Sequence, residues 1–361
     1  MESAIRIDGS QGEGGGQILR TAISLSAVTG TPVEVTGIRA KREHPGLRPS
    51  HLAAVKVVSA LFGATVENLQ VGADWVRFMP SPRFAGGPRR IDIGTAGSIS
   101  LTLMAAIPTV SLSGNGIEIE ITGGTDVRAS PTIDYLRYVA SAAYRSAGIK
   151  FSLDVIKRGY YPKGGGVVRA TIEPCRKPAP VEFVNGRSVA PKITSVCSQL
   201  PKHVAERQIS SALVSLEKNG IKCTNYTASF ETALSPGTSM LVYSASDFGG
   251  PFVGGDSIGE VNKSAEQVGQ EAARRYLEST LAGAAVDPFL ADMLVLPLCF
   301  ASGVSKYRTS LVTEHLRTNL HVASQIVPGF KYCITTTTAA ALPGKKESAV
   351  ITIEGDSSCY S

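Results

Sequence analysis

The chain has 361 residues and a formal net charge of +6, with 43% hydrophobic and 18% charged residues. That length favours two domains over one core, and the composition excludes a disordered or fibrous chain. The mild basic excess suits a polyanionic partner such as RNA without selecting one, since many unrelated enzymes are as basic.

The six cysteines (Cys175, Cys197, Cys223, Cys299, Cys333 and Cys359) form no C-x-x-C pair, which argues against a structural zinc site. The first residues enter a strand-like alternation with no apolar signal core. The longest apolar stretch, Met293 to Ala301, is too short to span a bilayer. A soluble, reducing, cytoplasmic setting is the expectation, with no membrane partner.

In chain order, Ile5 to Asp8 reads as a strand and Gly9 to Gly16 as a glycine-rich turn. Gln17 to Val28 has helical apolar spacing, and Val33 to Ile38 is a strand. Leu52, Val55, Val58 and Phe62 mark a helix stopped by Gly63, with Ser50 as its expected cap. Strands follow near 65–71 and 75–79. The order then recurs: strand 91–94, helix from Ser98 to about Ile107, strand 117–121, helix 132–147, and strands 149–156 and 166–172. This pattern is a repeated unit with helices on one face of each sheet. A basic, proline-containing stretch from Cys175 to Pro180 suits a connection. Beyond it lie strands near 193–197, 221–229 and 240–244 and helices at 202–218 and 264–281. An apolar helix from Asp292, a helix through Leu316 and Leu320, and a strand at 349–354 close the chain.

Five segments carry possible chemistry. The glycine run at 9–16 bares backbone N–H groups before a helix, where phosphate binds well, but no Lys-Ser/Thr pair makes it a Walker loop. Glu13 in that run either faces solvent or meets phosphate through a divalent cation. Arg39 to His51 holds Arg39, Lys41, Arg42, Arg48, His44 and His51 on a proline-stiffened loop; it is either a solvated basic loop or a phosphate cradle. Gly123 to Pro131 and Gly159 to Gly166 are glycine-rich turns and, taken alone, no more than that. His315 follows a plausible cap, Thr313, in the first turn of its helix. The positive end of a helix dipole favours a neutral imidazole there, though a lone histidine is more often structural.

Together these segments resemble the RNA 3'-terminal phosphate cyclase family. The resemblance rests on Ile7 to Arg20, Ile38 to Arg42 with Pro45-Gly46-Leu47 and His51-Leu52, and Gly94 to Ser98. It continues through Gly123 to Asp126, Tyr161 to Gly166, His203 to Arg207 and Ala291-Asp292. It implies an α+β or α/β fold: a large domain of three helix-on-sheet units with four-stranded sheets (1–180 plus 286–361) and a smaller α+β domain inserted at 181–285. It also implies an ATP-dependent enzyme in which His315 becomes adenylated, passes AMP to an RNA 3'-phosphate, and leaves a 2',3'-cyclic phosphate. By the same resemblance Glu13 binds Mg2+ or Mn2+, while Arg39, Arg42 and His51 bind phosphates of the RNA end or of ATP. Arg20, Met104, Pro131, Phe289, Asp292 and Met293 hold the nucleotide, and Phe252 is a further candidate to stack on the adenine. The alternative is a non-catalytic cyclase-like factor of ribosome assembly. A plain RNA-binding module has no support, because no stacking motif is visible in the letters. Oligomeric state stays open, a homodimer being one option.

Met104 and Met293 stand where many members of that family carry glutamine. A pocket without those two amides is expected to prefer ATP less strictly, and a nucleotide-competition assay showing strict ATP preference contradicts this.

Overall fold

A computed structural model describes residues 3–12, 15–81, 84–94, 96–185, 189–246, 249–337 and 348–356. A helix placed between two strands forces a crossover, so the pairs that flank one run parallel. In the first unit β1 (Ile5–Asp8), α1 (Gln17–Thr29), β2 (Val33–Thr36), α2 (Pro49–Phe62), β3 (Thr65–Glu67) and β4 (Val76–Met79) give the order β1-β2-β4-β3, with β1 parallel to β2 and Ile5 opposite Val33. The second unit repeats this. β5 (Arg90–Asp92), α3 (Ile99–Leu112), β6 (Ile117–Gly123), α4 (Ile133–Tyr135), a π turn at Leu136–Ala140, α5 (Ser141–Ser146), β7 (Phe151–Lys157) and β8 (Gly166–Ile172) give β5-β6-β8-β7, with β5 parallel to β6.

The third unit starts with β9 (Glu182–Phe183) and is then interrupted. β10 (Lys192–Ser198), α6 (His203–Glu217), β11 (Asn225–Phe230), β12 (Gly237–Ala245), β13 (Phe252–Ile258) and α7 (Ala265–Leu281) form a separate sheet in the order β11-β10-β12-β13. The unit resumes with α8 (Pro288–Leu298), β14 (Val304–Thr309), α9 (Glu314–Ile326), β15 (Lys331–Thr337) and β16 (Ser348–Glu354), in the order β15-β16-β14-β9. Because β9 pairs in parallel with β14, residues 182–183 lie in the third large sheet, although the insert was expected to open at 181.

Alternation along β6 and β8 buries one face of each strand against helices. The helices of the three units also pack on one another: α1 lies against α2, α3 and α9, and α8 against α9. One apolar cluster therefore runs through all three units, from Ile7 and Leu19 through Leu103 and Ile121 to Leu294 and Leu320. The insert keeps its own cluster, including Ile193, Ile209, Leu216, Val242, Val253 and Tyr276. Among the described residues no helix is long and apolar enough to cross a membrane.

Several local expectations are corrected. The α2 helix starts at Pro49 with Arg48 as its cap residue, so Ser50 is inside the helix. The helix expected from Asp292 begins a turn earlier, because Asp287 Oδ1 accepts from the amides of Phe289 and Leu290, and Pro288 has no N–H that needs an acceptor. The strand β13 was not expected, since Phe-Val-Gly-Gly-Asp-Ser-Ile has weak strand propensity. Its glycines serve packing: a Cβ on Gly254 would lie 2.7 Å from the Tyr135 ring, and one on Gly255 2.3 Å from the Ala272 carbonyl.

Arg158 fastens the insert to the second unit. Its guanidinium is 1% exposed and meets Asp126 (3.3 Å), Asp134 (2.8 Å) and Glu231 (2.7 Å), the last from the insert. Burial alone lowers an arginine pKa, yet these carboxylates hold that of Arg158 well above its ordinary value. Replacing Arg158 by Met leaves the acids facing one another without a cation. The expected loss is about 3–5 kcal/mol in denaturant unfolding; a loss below about 1 kcal/mol, the worth of a surface pair, contradicts this.

Candidate functional site

The N-terminus of α9 is set by Thr313, whose Oγ1 accepts from the Leu316 amide at 2.9 Å and donates to Asp292 Oδ1 at 2.6 Å. His315 is the second helical residue, its side chain 44% exposed, with Nδ1 3.8 Å from Asp292 Oδ2. One turn on, Asn319 Nδ2 donates to the Asp292 carbonyl at 3.1 Å and Oδ1 accepts from Thr21 at 2.8 Å. Asp292 from α8, His315 and Asn319 from α9, and Thr21 from α1 thus form one knot.

The glycine run crosses this helix end. A Cβ on Gly12 would lie 2.9 Å from Thr318 Oγ1 and 3.4 Å from Glu314 Oε2; one on Gly15 would lie 3.6 Å from His315 Nε2 and 3.7 Å from Arg42 Nη2. At Gly16 it would fall 2.0 Å from His51 Nε2. The bare backbone at 15–16 is therefore what lets the His315, Arg42 and His51 side chains converge on one spot.

Among the described residues, cations gather at that spot. Arg20 is half-buried and donates to Gln17 Oε1 at 2.5 Å; it has no carboxylate partner among the described residues, and burial pulls its pKa down to about 10. Arg39, in the left-handed region at φ 56°, donates to the carbonyls of His44 and Gly46. Its pKa is lowered by burial, then by Arg48 and Arg42. His51 is pushed down to about 3 by burial, then by Arg20, Arg39 and Arg48. Its Nδ1 accepts from the Arg48 amide at 3.3 Å, which puts the single proton of the neutral ring on Nε2, above Gly16. Half-buried guanidinium groups without acids are costly unless an anion joins them.

Met104 and Met293 meet Arg20, Gln17, Asp292 and Asn319 around a cavity of about 30 Å³, room for about one water. Pro131 is buried between Ser130, whose Oγ lies 2.5 Å from Ser98 Oγ, and Thr132, whose amide donates to Asp256. Phe289 is 42% exposed and edge-on to Tyr135, whose hydroxyl donates to Asp287 at 2.8 Å. Phe252, the further candidate for adenine stacking, is fully buried and edge-to-face with Phe183 at 4.9 Å, where the insert meets the third sheet. Glu13 lies outside the described residues. Among those described, no group of three or more His, Cys, Asp or Glu is placed to hold a metal.

Thr21, Gln17 and the Tyr135–Asp287 pair were missed from the sequence. Asp287-Pro288 is a readable helix-start signal, whereas Thr21 and Asn319 are 298 positions apart and give no local one.

A model of the family described as RNA 3'-terminal phosphate cyclase matches residues 11–331. The chain belongs to this family. Among curated relatives carrying the name RNA 3'-terminal phosphate cyclase, that of Pyrobaculum aerophilum is 43% identical over 326 residues, covering 90% of this chain and 93% of the relative. The Pyrococcus furiosus protein is 42% identical, covering 89% and 92%, and that of Archaeoglobus fulgidus 41%, covering 88% and 94%. The glycine run from Gln11 on, the arginine loop and His315 all fall inside the span that matches the cyclase family.

The depressed pKa of His51 has a consequence with a defined sign. From about pH 6.5, where free imidazole titrates, down to about 3, the unfolded chain binds a proton that the folded one refuses. The contribution of His51 to stability is thus full above that window and is lost as pH falls through it. His51→Gln is expected to flatten the decline in urea-unfolding stability on acidification; an unchanged slope contradicts it.

Proposed function

We propose that this chain converts an RNA 3'-terminal phosphate to a 2',3'-cyclic phosphate, using ATP and a histidine–AMP intermediate. The observation that carries the reading is the placement of His315: Nδ1 toward the Asp292 carboxylate and Nε2 toward Gly15 of the glycine run. A carboxylate on the Nδ1 side favours the tautomer with its proton there, which leaves a lone pair on Nε2. That nitrogen attacks the α-phosphorus of ATP; an N–P bond forms and the bond to pyrophosphate breaks.

An oxygen of the RNA 3'-phosphate then attacks the same phosphorus, breaking the N–P bond and making a phosphoanhydride. The vicinal 2'-hydroxyl attacks the 3'-phosphorus, loses its proton, and AMP leaves. Each step moves charge between phosphate oxygens, so the protein's work is alignment and neutralisation. Arg20, Arg39 and Arg42 serve it as fixed cations, and neutral His51 as a hydrogen-bond donor from Nε2. Asp292, expected to hold the nucleotide, also positions His315. A divalent cation, when bound, supplies further neutralisation of the phosphates, which needs only one or two carboxylates. Glu13 is the expected ligand, and Glu314 borders the same loop at Gly12.

Incubation with α-labelled ATP tests this. Wild type is expected to take up label through an acid-labile, alkali-stable bond, and His315→Ala to take up none while keeping its fold. Asp292→Asn is expected to slow labelling by more than about tenfold, with the deficit changing with pH. Labelling of His315→Ala at the wild-type rate overturns the proposal.

A further inference from the structure

One strand of the insert, β13, bonds to both of the segments that carry Pro131 and Phe289. From Asp256, Oδ2 accepts from the Thr132 amide at 2.7 Å, while Oδ1 faces Arg275 of α7 at 3.4 Å. Thr132 is the cap of α4, and its hydroxyl accepts from the Tyr135 amide at 3.3 Å. From Gly254, the backbone amide donates to Asp287 Oδ2 at 2.8 Å. Asp287 is the cap of α8 and also takes the Tyr135 hydroxyl and the amides of Phe289 and Leu290. Both acids are buried, so a lost partner is not readily replaced by water. Thr132 and Asp287 already cap their own helices; the bonds from β13 tie the two caps to each other.

These bonds end on one exposed ring. Phe289 packs edge-on against buried Tyr135, with centroids 6.3 Å apart, yet keeps 42% of its surface exposed. It lies one turn before Asp292 on α8, and residues so spaced are neighbours on a helix. Asp292 Oδ2 in turn faces His315 Nδ1 at 3.8 Å. The ring is therefore within a nucleoside's reach of the histidine proposed to take the α-phosphorus.

We propose that Asp256 of the insert is a positioning residue for the nucleotide base. Through Thr132, Tyr135 and Asp287 it fixes the Phe289 ring on which the base lies, and this is what the insert contributes to the site. Pro131 directly precedes Thr132, so the same bond fixes it too. A stacking surface works only while its supporting contacts hold the ring in one orientation. The proposal rests on reading the chain as an ATP-using enzyme, but its test reads binding and not AMP transfer.

The test measures affinity for two probes with Mg2+ present. One is α,β-methylene-ATP, which carries the base but cannot pass AMP to a histidine; the other is inorganic triphosphate, which has no base. Wild type is expected to bind the ATP analogue more tightly. Asp256→Ala is expected to lose about tenfold on the analogue, the order of one base–ring stack, and nothing on triphosphate. Asp256→Asn, whose amide oxygen still accepts from Thr132, is expected to recover most of that loss. Tyr135→Phe keeps the buried ring and removes only the hydroxyl on Asp287. It is expected to lose about threefold on the analogue alone, and it carries the test where Asp256→Ala does not fold. An unchanged affinity of Asp256→Ala for the analogue, or of Tyr135→Phe where it stands in, overturns the proposal. So does an equal loss on both probes, which marks general damage, or a wild type that binds the two probes alike. If the loss is confined to the analogue but wild type takes up no AMP from labelled ATP, the positioning of the ring stands and the catalytic reading falls.

Discussion

A single carboxylate, Asp292, ties together the three helices that define the site. It receives the Thr313 hydroxyl at 2.6 Å, faces His315 Nδ1 at 3.8 Å, and through its backbone carbonyl holds Asn319, which Thr21 reaches from α1. The helix cap, the ring orientation and the packing of α9 on α1 thus share one anchor, only 7% exposed. A polar knot this buried tolerates no vacancy, because an orphaned partner costs more than the bond contributed.

Around that knot the protein concentrates positive charge where burial makes it expensive. Arg20 and Arg39 both have lowered pKa values, and His51 is forced neutral beside them. The Arg158 cluster shows the opposite arrangement: a deeper guanidinium surrounded by Asp126, Asp134 and Glu231. Arg158 joins two parts of the fold and is compensated, whereas Arg20 has no carboxylate partner among the described residues.

The repeated sheet order makes this convergence possible. The first and third units each place a helix N-terminus at the same end of the molecule, α1 behind its glycine run and α9 behind Thr313, and α1 packs on α9. The insert interrupts the third unit between β9 and α8 and leaves that sheet order intact. It adds an edge strand, β11, on which Tyr226 and Phe230 are exposed.

Local order was legible in the letters. The helices that begin at Gln17, Ala265 and Glu314 follow from apolar spacing and caps, because caps, periods and turn residues act within a few positions, whereas the letters left the glycine run and the arginine loop open between phosphate binding and a solvated turn. The sequence alone could not rank His315 above an ordinary surface histidine, put Thr21 beside Asn319, or seal Phe252 into the core. Nor could it read β13, whose glycines weaken a strand until Tyr135 and the Ala272 carbonyl close on it. Those facts depend on contacts between residues from about 20 to 298 positions apart. They exist only once the helices are stacked.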